Sequence, residues 1–105
     1  MKKTYHKLIR DRIPEMIAKQ GKTCVTRVMD AKEYLEMVDA KLDEELAEYH
    51  KDQNLEELAD LLEVIFAAAQ ARGYTAEQLE QVRSRKADQR GAFEKHLLLL
   101  EVDDE

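Results

Sequence analysis

The chain has no tryptophan, one cysteine, one proline and three glycines in 105 residues, and 6% of it is aromatic. A single cysteine, Cys24, excludes an intramolecular disulfide framework and suits a reducing compartment. So little glycine and proline leaves few tight turns for a sandwich or barrel, which favours an α-rich fold. No apolar run approaches the roughly 20 residues that span a bilayer. The opening MKKTYHKLIRDRIP is basic, but no apolar core follows it as in a signal peptide. Positive charge is also in short supply, 17 Lys+Arg against 23 Asp+Glu for a net charge of −6. Affinity for polyanions rests on clustered cations, so a general binder of nucleic-acid polymers or anionic membranes is disfavoured. The expectation is a cytoplasmic protein of one domain, residues 1–105.

What is present is segregated charge on a chain that is 44% hydrophobic. Lys2, Lys3, Lys7, Arg10 and Arg12 stand against Asp11 alone in the first twelve residues. Residues 39–63 hold ten acids against Lys41 and Lys51, and residues 83–90 turn basic again with Arg83, Arg85, Lys86 and Arg90. An acidic centre between two basic segments is a pattern that a metal and a phosphate ligand can share.

Periodicity and capping residues predict four helices and two short extended pieces. The first helix runs over 11–20, with Pro14 in its opening turn and Gly21 stopping it. Residues 23–28, TCVTRV, alternate and are β-branched, the pattern of a short strand. Asp30 caps a second helix that continues to about Lys51, with Glu33 at the capping-box position. Asn54 starts a third that ends near Arg72 and Gly73. Thr75 and Gln78 form a capping box for a fourth, ending near Arg90 and Gly91. The tail 96–101, HLLLLE, is expected to pair as a strand with 23–28.

The third helix places its carboxylates unusually. At about 100° per residue, Leu55, Leu58, Leu62, Ile65, Phe66 and Ala69 share one broad face. Leu61, Val64 and Ala68 form a second apolar strip that also carries Glu57 and Asp60. Carboxylates on an apolar strip are costly unless paired, protonated or bound to a cation. The second helix repeats the arrangement, with Glu45 and Glu48 beside the stripe of Leu35, Val38, Leu42, Leu46 and Tyr49. Each acidic pair has i,i+3 spacing, so its Cβ atoms lie roughly 5–6 Å apart. Two antiparallel helices joined near 51–53 can bring the pairs face to face, and four oxygen donors without His or Cys suit Mg²⁺ or Mn²⁺. The same residues also have an ordinary reading. Glu57 can complete a capping box with Asn54, and Glu44 and Glu48 can form surface ion pairs with Lys41 or Lys51.

The run Glu44-Glu45-Leu46-Ala47-Glu48, followed by Glu57-Leu58-Ala59-Asp60, resembles the EExxE…ExxD signature of the all-α nucleoside triphosphate pyrophosphohydrolases, the MazG-like superfamily. The opening Tyr5–Pro14 block and the closing Lys86–Phe93 block are similar to its phosphoribosyl-ATP pyrophosphohydrolase-like subgroup. The resemblance implies a mainly α four-helix bundle with a short two-stranded β element, completed by oligomerisation to a homodimer or homotetramer. It implies hydrolysis of a nucleoside triphosphate between the α and β phosphates, with Glu45, Glu48, Glu57 and Asp60 as Mg²⁺ ligands. Glu44 would orient the attacking water or touch an outer ligand.

Lys86 and Arg90, at i,i+4, can reach one anionic group from a single face. The resemblance makes them phosphate contacts that stabilise the leaving group; a plain alternative is that they favour the dipole at a helix C-terminus. Arg10 and Arg12, with Lys7, are further substrate-binding candidates, or a solvated basic segment. Three functions stay open at this stage: a house-cleaning nucleotide pyrophosphohydrolase, a phosphoribosyl-ATP hydrolase of histidine biosynthesis, and a non-catalytic helical interaction module.

Overall fold

The computed structural model describes residues 2–104. Four helices follow in order: α1 (Ile13–Lys19), α2 (Ala31–Asp52), α3 (Leu55–Ala71) and α4 (Ala76–Arg90). The helical expectation holds, and no strand occurs among the described residues.

Each long helix begins where a short polar side chain can satisfy an orphan backbone N–H. Asp30 accepts from the Glu33 N–H at 2.8 Å and Asn54 from the Glu57 N–H at 2.9 Å. Thr75 and Gln78 make the full reciprocal capping box, at 3.1 and 2.9 Å. The ends of α1 and α3 are set by glycine. At Gly73, φ is 89°; its N–H donates to the Gln70 carbonyl, and the Tyr74 N–H donates back to Ala69. The same double closure occurs after α1, from Gly21 to Ala18 and from Lys22 to Ile17. This is the Schellman arrangement, which turns the chain while satisfying the last carbonyls.

The β element is corrected. Residues 23–28 and 96–101 form no ladder, and Val25, Val28 and Leu97–Leu100 are all exposed. A two-stranded ribbon needs an apolar face packed on something else to persist in water, and neither piece has one. His96, at φ 55°, also leaves the extended region where the second strand should begin.

α2 and α3 form an antiparallel hairpin across Gln53 and Asn54, with Gln53 in the left-handed region at φ 50°. Asp39 in the first half of α2 meets Arg72 just after α3 at 3.2 Å, an exposed pair consistent with that antiparallel register. The strip bearing Glu57, Asp60, Leu61, Val64 and Ala68 is half-buried against α2. The opposite face remains open: Leu55 is 77% exposed, and Leu58, Leu62 and Ile65 are also exposed. Val38 alone among the described residues is fully buried. The radius of gyration is 18.6 Å, against about 13 Å for a compact chain of this length. No helix among the described residues is long and apolar enough to cross a membrane.

Nothing lies within 4 Å of a Cβ built on Gly73, so its role is purely conformational. Gly73→Ala should therefore cost about 1 kcal/mol, the penalty of left-handed backbone for a residue with a Cβ. Gly73→Asn should cost clearly less, since asparagine tolerates that region. Chemical denaturation of the two variants beside the parent checks the order.

Candidate metal centre

The hairpin brings the two acidic pairs together. Glu45 on α2 and Glu57 and Asp60 on α3 each place a carboxylate oxygen within 4.8 Å of the others, and all three are partly buried. Glu48, Asp52 and Glu57 make a second such group, with Glu48 and Asp52 exposed. Glu57 belongs to both. The four ligand candidates Glu45, Glu48, Glu57 and Asp60 thus share one region, joined by Asp52. Its i,i+4 spacing from Glu48 is the sequence signal that would have included it.

The crowding has an electrostatic signature. Glu57 is pushed above its usual carboxylate range, first by partial desolvation and then by the charges of Asp60, Asp52, Glu48 and Glu45. Its position in the first turn of α3 favours a negative charge through the helix dipole.

Cations of the chain answer part of the repulsion. The Arg10 guanidinium donates to Asp60 Oδ1 at 2.8 Å across 50 residues of sequence. Lys41 lies 3.5 Å from Glu45, and these two side chains are only 14% and 12% exposed. Lys41 also stands 3.3 Å from Glu44 Oε1, the oxygen that Lys7 approaches at 3.6 Å. Glu44 is therefore an ion-pair partner beside the carboxylate group, not a member of it. Its neighbour Glu45 takes the inward position, one helical step away.

The remaining candidates are dispersed. Arg12, at the N-cap of α1, pairs locally with Glu15 at 3.4 Å, whereas Arg10 bonds Asp60. Lys86 and Arg90 are exposed on α4 and make no ion pair with the carboxylates. Lys7, named with Arg10 and Arg12 from the sequence, does reach the rim at Glu44, whereas Lys41 was passed over as a site residue. Lys41 was legible only as a surface partner of Glu44, and its burial comes from the packing of α2.

An all-oxygen, partly desolvated, mutually repelling donor set is the chemistry that a hard divalent cation suits. The residues fit such an ion. Exposed acidic groups are common without one, and the ordinary cap reading of Glu57 is also true: its N–H is the one Asn54 caps.

No family model matches the chain, and no solved structure matches it. An uncharacterised protein of Mycolicibacterium smegmatis is 56% identical over 41 residues, covering 39% of this chain and 42% of that protein. The matched stretch thus spans about two fifths of the relative's length.

With a folded pKa above the unfolded one, Glu57 holds its proton more tightly in the native state. Its charge therefore lowers stability as pH rises from about 4.5, the unperturbed value, through the raised one. Glu57→Gln should melt higher than the parent at pH 7 without divalent cations, and the gain should shrink as pH falls towards 4.5. Thermal melts in EDTA at several pH values test this; a lower melting point for the variant at pH 7 would contradict it.

Proposed function

We propose that the chain is a Mg²⁺-dependent nucleotide pyrophosphohydrolase, with Mn²⁺ an acceptable substitute. It hydrolyses a nucleoside triphosphate between the α and β phosphates to a monophosphate and pyrophosphate, as a cytoplasmic house-cleaning activity. The observation that carries the reading is the convergence of Glu45, Glu57 and Asp60 from two helices within 4.8 Å. The MazG-like resemblance of the surrounding EExxE…ExxD pattern supports it.

Glu45, Glu48, Glu57 and Asp60 would hold the cation, with Asp52 beside them. A divalent cation there supplies charge neutralisation for the polyphosphate and acidifies a bound water. Arg10, already bonded to Asp60, has further N–H donors for a phosphate oxygen. Lys86 and Arg90 are free to meet phosphate or the departing pyrophosphate, and Glu44 keeps Lys7 and Lys41 at the rim. Phosphoribosyl-ATP would use the same chemistry with a different pocket.

The open apolar face of α3 supports self-association to a homodimer or homotetramer, since water-exposed leucines at helical spacing seek a partner surface. The same face is the observation favouring the second reading, a non-catalytic interaction module.

Pyrophosphate release from a panel of ribo- and deoxynucleoside triphosphates with Mg²⁺ tests the activity. The parent should turn over at least one, and Glu57→Gln and Asp60→Asn should each lose at least a hundredfold in kcat. Mg²⁺ at a hundredfold excess over its Kd should stabilise the parent by about 2.7 kcal/mol, a melting shift on the order of 10 °C. No pyrophosphate and no shift would leave the interaction module. Separately, sedimentation should show an oligomer at micromolar concentration that Leu58→Glu with Leu62→Glu converts to monomer. A monomeric parent would remove the self-association claim.

A further inference from the structure

The three partly buried carboxylates of the acidic centre are not equally free. Arg10 donates an N–H to Oδ1 of Asp60 at 2.8 Å, and Lys41 stands 3.5 Å from Oε1 of Glu45. Each of these contacts is made to a single oxygen. Glu57 meets no cation among the described residues: the charges around it are those of Asp60, Asp52, Glu48 and Glu45.

A carboxylate with one oxygen taken can offer a metal only the other. Of the six oxygens of Glu45, Glu57 and Asp60, Arg10 and Lys41 engage two, and four stay open. Glu57 alone of the three can present both of its oxygens to one ion. That count separates two hard cations. Ca²⁺ takes about six to eight oxygens at roughly 2.3–2.6 Å, and carboxylates that clasp it with both oxygens help to supply them. Mg²⁺ needs only one or two carboxylates, keeps water in the rest of its octahedron, and holds oxygens at roughly 2.0–2.1 Å. Partners that orient a ligand change metal affinity by about 10–100-fold. Positive charge as such repels both divalent ions alike, so charge without orientation sets no preference between them.

We propose that Arg10 and Lys41 set the cation preference of the acidic centre. By each holding one oxygen of a ligand carboxylate, they leave a donor set that takes Mg²⁺ over Ca²⁺. Both act through Asp60 and Glu45 and are positioning residues for the centre. The inference rests on the divalent-cation reading of that centre and adds which neighbours select the ion.

The test is to titrate Mg²⁺ and Ca²⁺ separately into the full chain without nucleotide, reading each Kd from amide NMR shifts in the first turns of α3. The parent should bind Mg²⁺ more tightly than Ca²⁺. Arg10→Met removes the N–H donors of a side chain that is 57% exposed, so the fold is not at risk. Its Mg²⁺ preference should fall about tenfold, because Ca²⁺ gains the second oxygen of Asp60. Lys41→Met should lower the preference in the same way through Glu45. Arg10→Lys can still hold one oxygen and should keep the parent's ratio. Arg72→Gln removes a positive charge at the far end of the hairpin and should also leave the ratio unchanged. Equal strengthening of both ions in Arg10→Met, or in a folded Lys41→Met, would reduce the effect to charge and overturn the proposal. A parent that prefers Ca²⁺ would overturn it too. Binding of neither ion would remove the cation reading and the proposal with it. A shifted ratio in a chain that releases no pyrophosphate would uphold the selection and remove the hydrolase.

Discussion

Five carboxylates crowd the turn-proximal half of the α2–α3 hairpin, and much of the surrounding structure can be read as a response to them. Glu45, Glu57 and Asp60 cannot sit within 4.8 Å of one another unless something offsets their repulsion. Water does part of this, since none is fully buried. The chain does more by bringing in Arg10 and Lys7 from the distant N-terminal segment and Lys41 from one turn away on α2. Exposed ion pairs are individually weak. Here they form a connected set around one site, and Lys41 with Glu45 is well shielded from solvent. The hairpin therefore tolerates the carboxylates without neutralising them, and Glu57 still carries the residual strain as an upward pKa.

That constraint is set against a thin core. With one fully buried side chain, the hairpin cannot draw much stability from packing within a single chain. Its helices are instead delimited by local devices, three side-chain caps and two glycine closures. Such devices fix where helices start and stop. They do not cover apolar surface, and the α3 leucines, the segment 23–28 and the leucine tail all stay in water.

The division between local and distant interactions also governs how much was legible in the sequence. Asp30, Asn54, Thr75, Gly21 and Gly73 act within four residues of themselves, so the helix boundaries they set could be read to within a residue or two. The strands could not. An alternating pattern at 23–28 states a preference, whereas a ladder needs a partner and a packed face that no local pattern guarantees. The site divides the same way. Spacing along α2 and α3 was enough to pair Glu45 with Glu48 and Glu57 with Asp60, and a two-residue turn brought the pairs together. The Arg10–Asp60 bond bridges 50 residues, so spacing gave no means of preferring Arg10 over Arg12. Glu44 shows the finest limit: adjacent to Glu45 in sequence, it lies about 100° round the helix and meets lysines.

Arg10 decides how a cation and a phosphate can share the proposed site. A carboxylate has two oxygens and about four lone-pair directions, and Arg10 uses one oxygen of Asp60. The other is free for a cation, so metal binding does not require the arginine to leave. The guanidinium would then sit in the outer shell of the centre, raising positive charge where a polyphosphate must approach and still presenting unused N–H donors. Lysine in that place would keep the charge but lose the fork, binding Asp60 or phosphate without the geometry to span both.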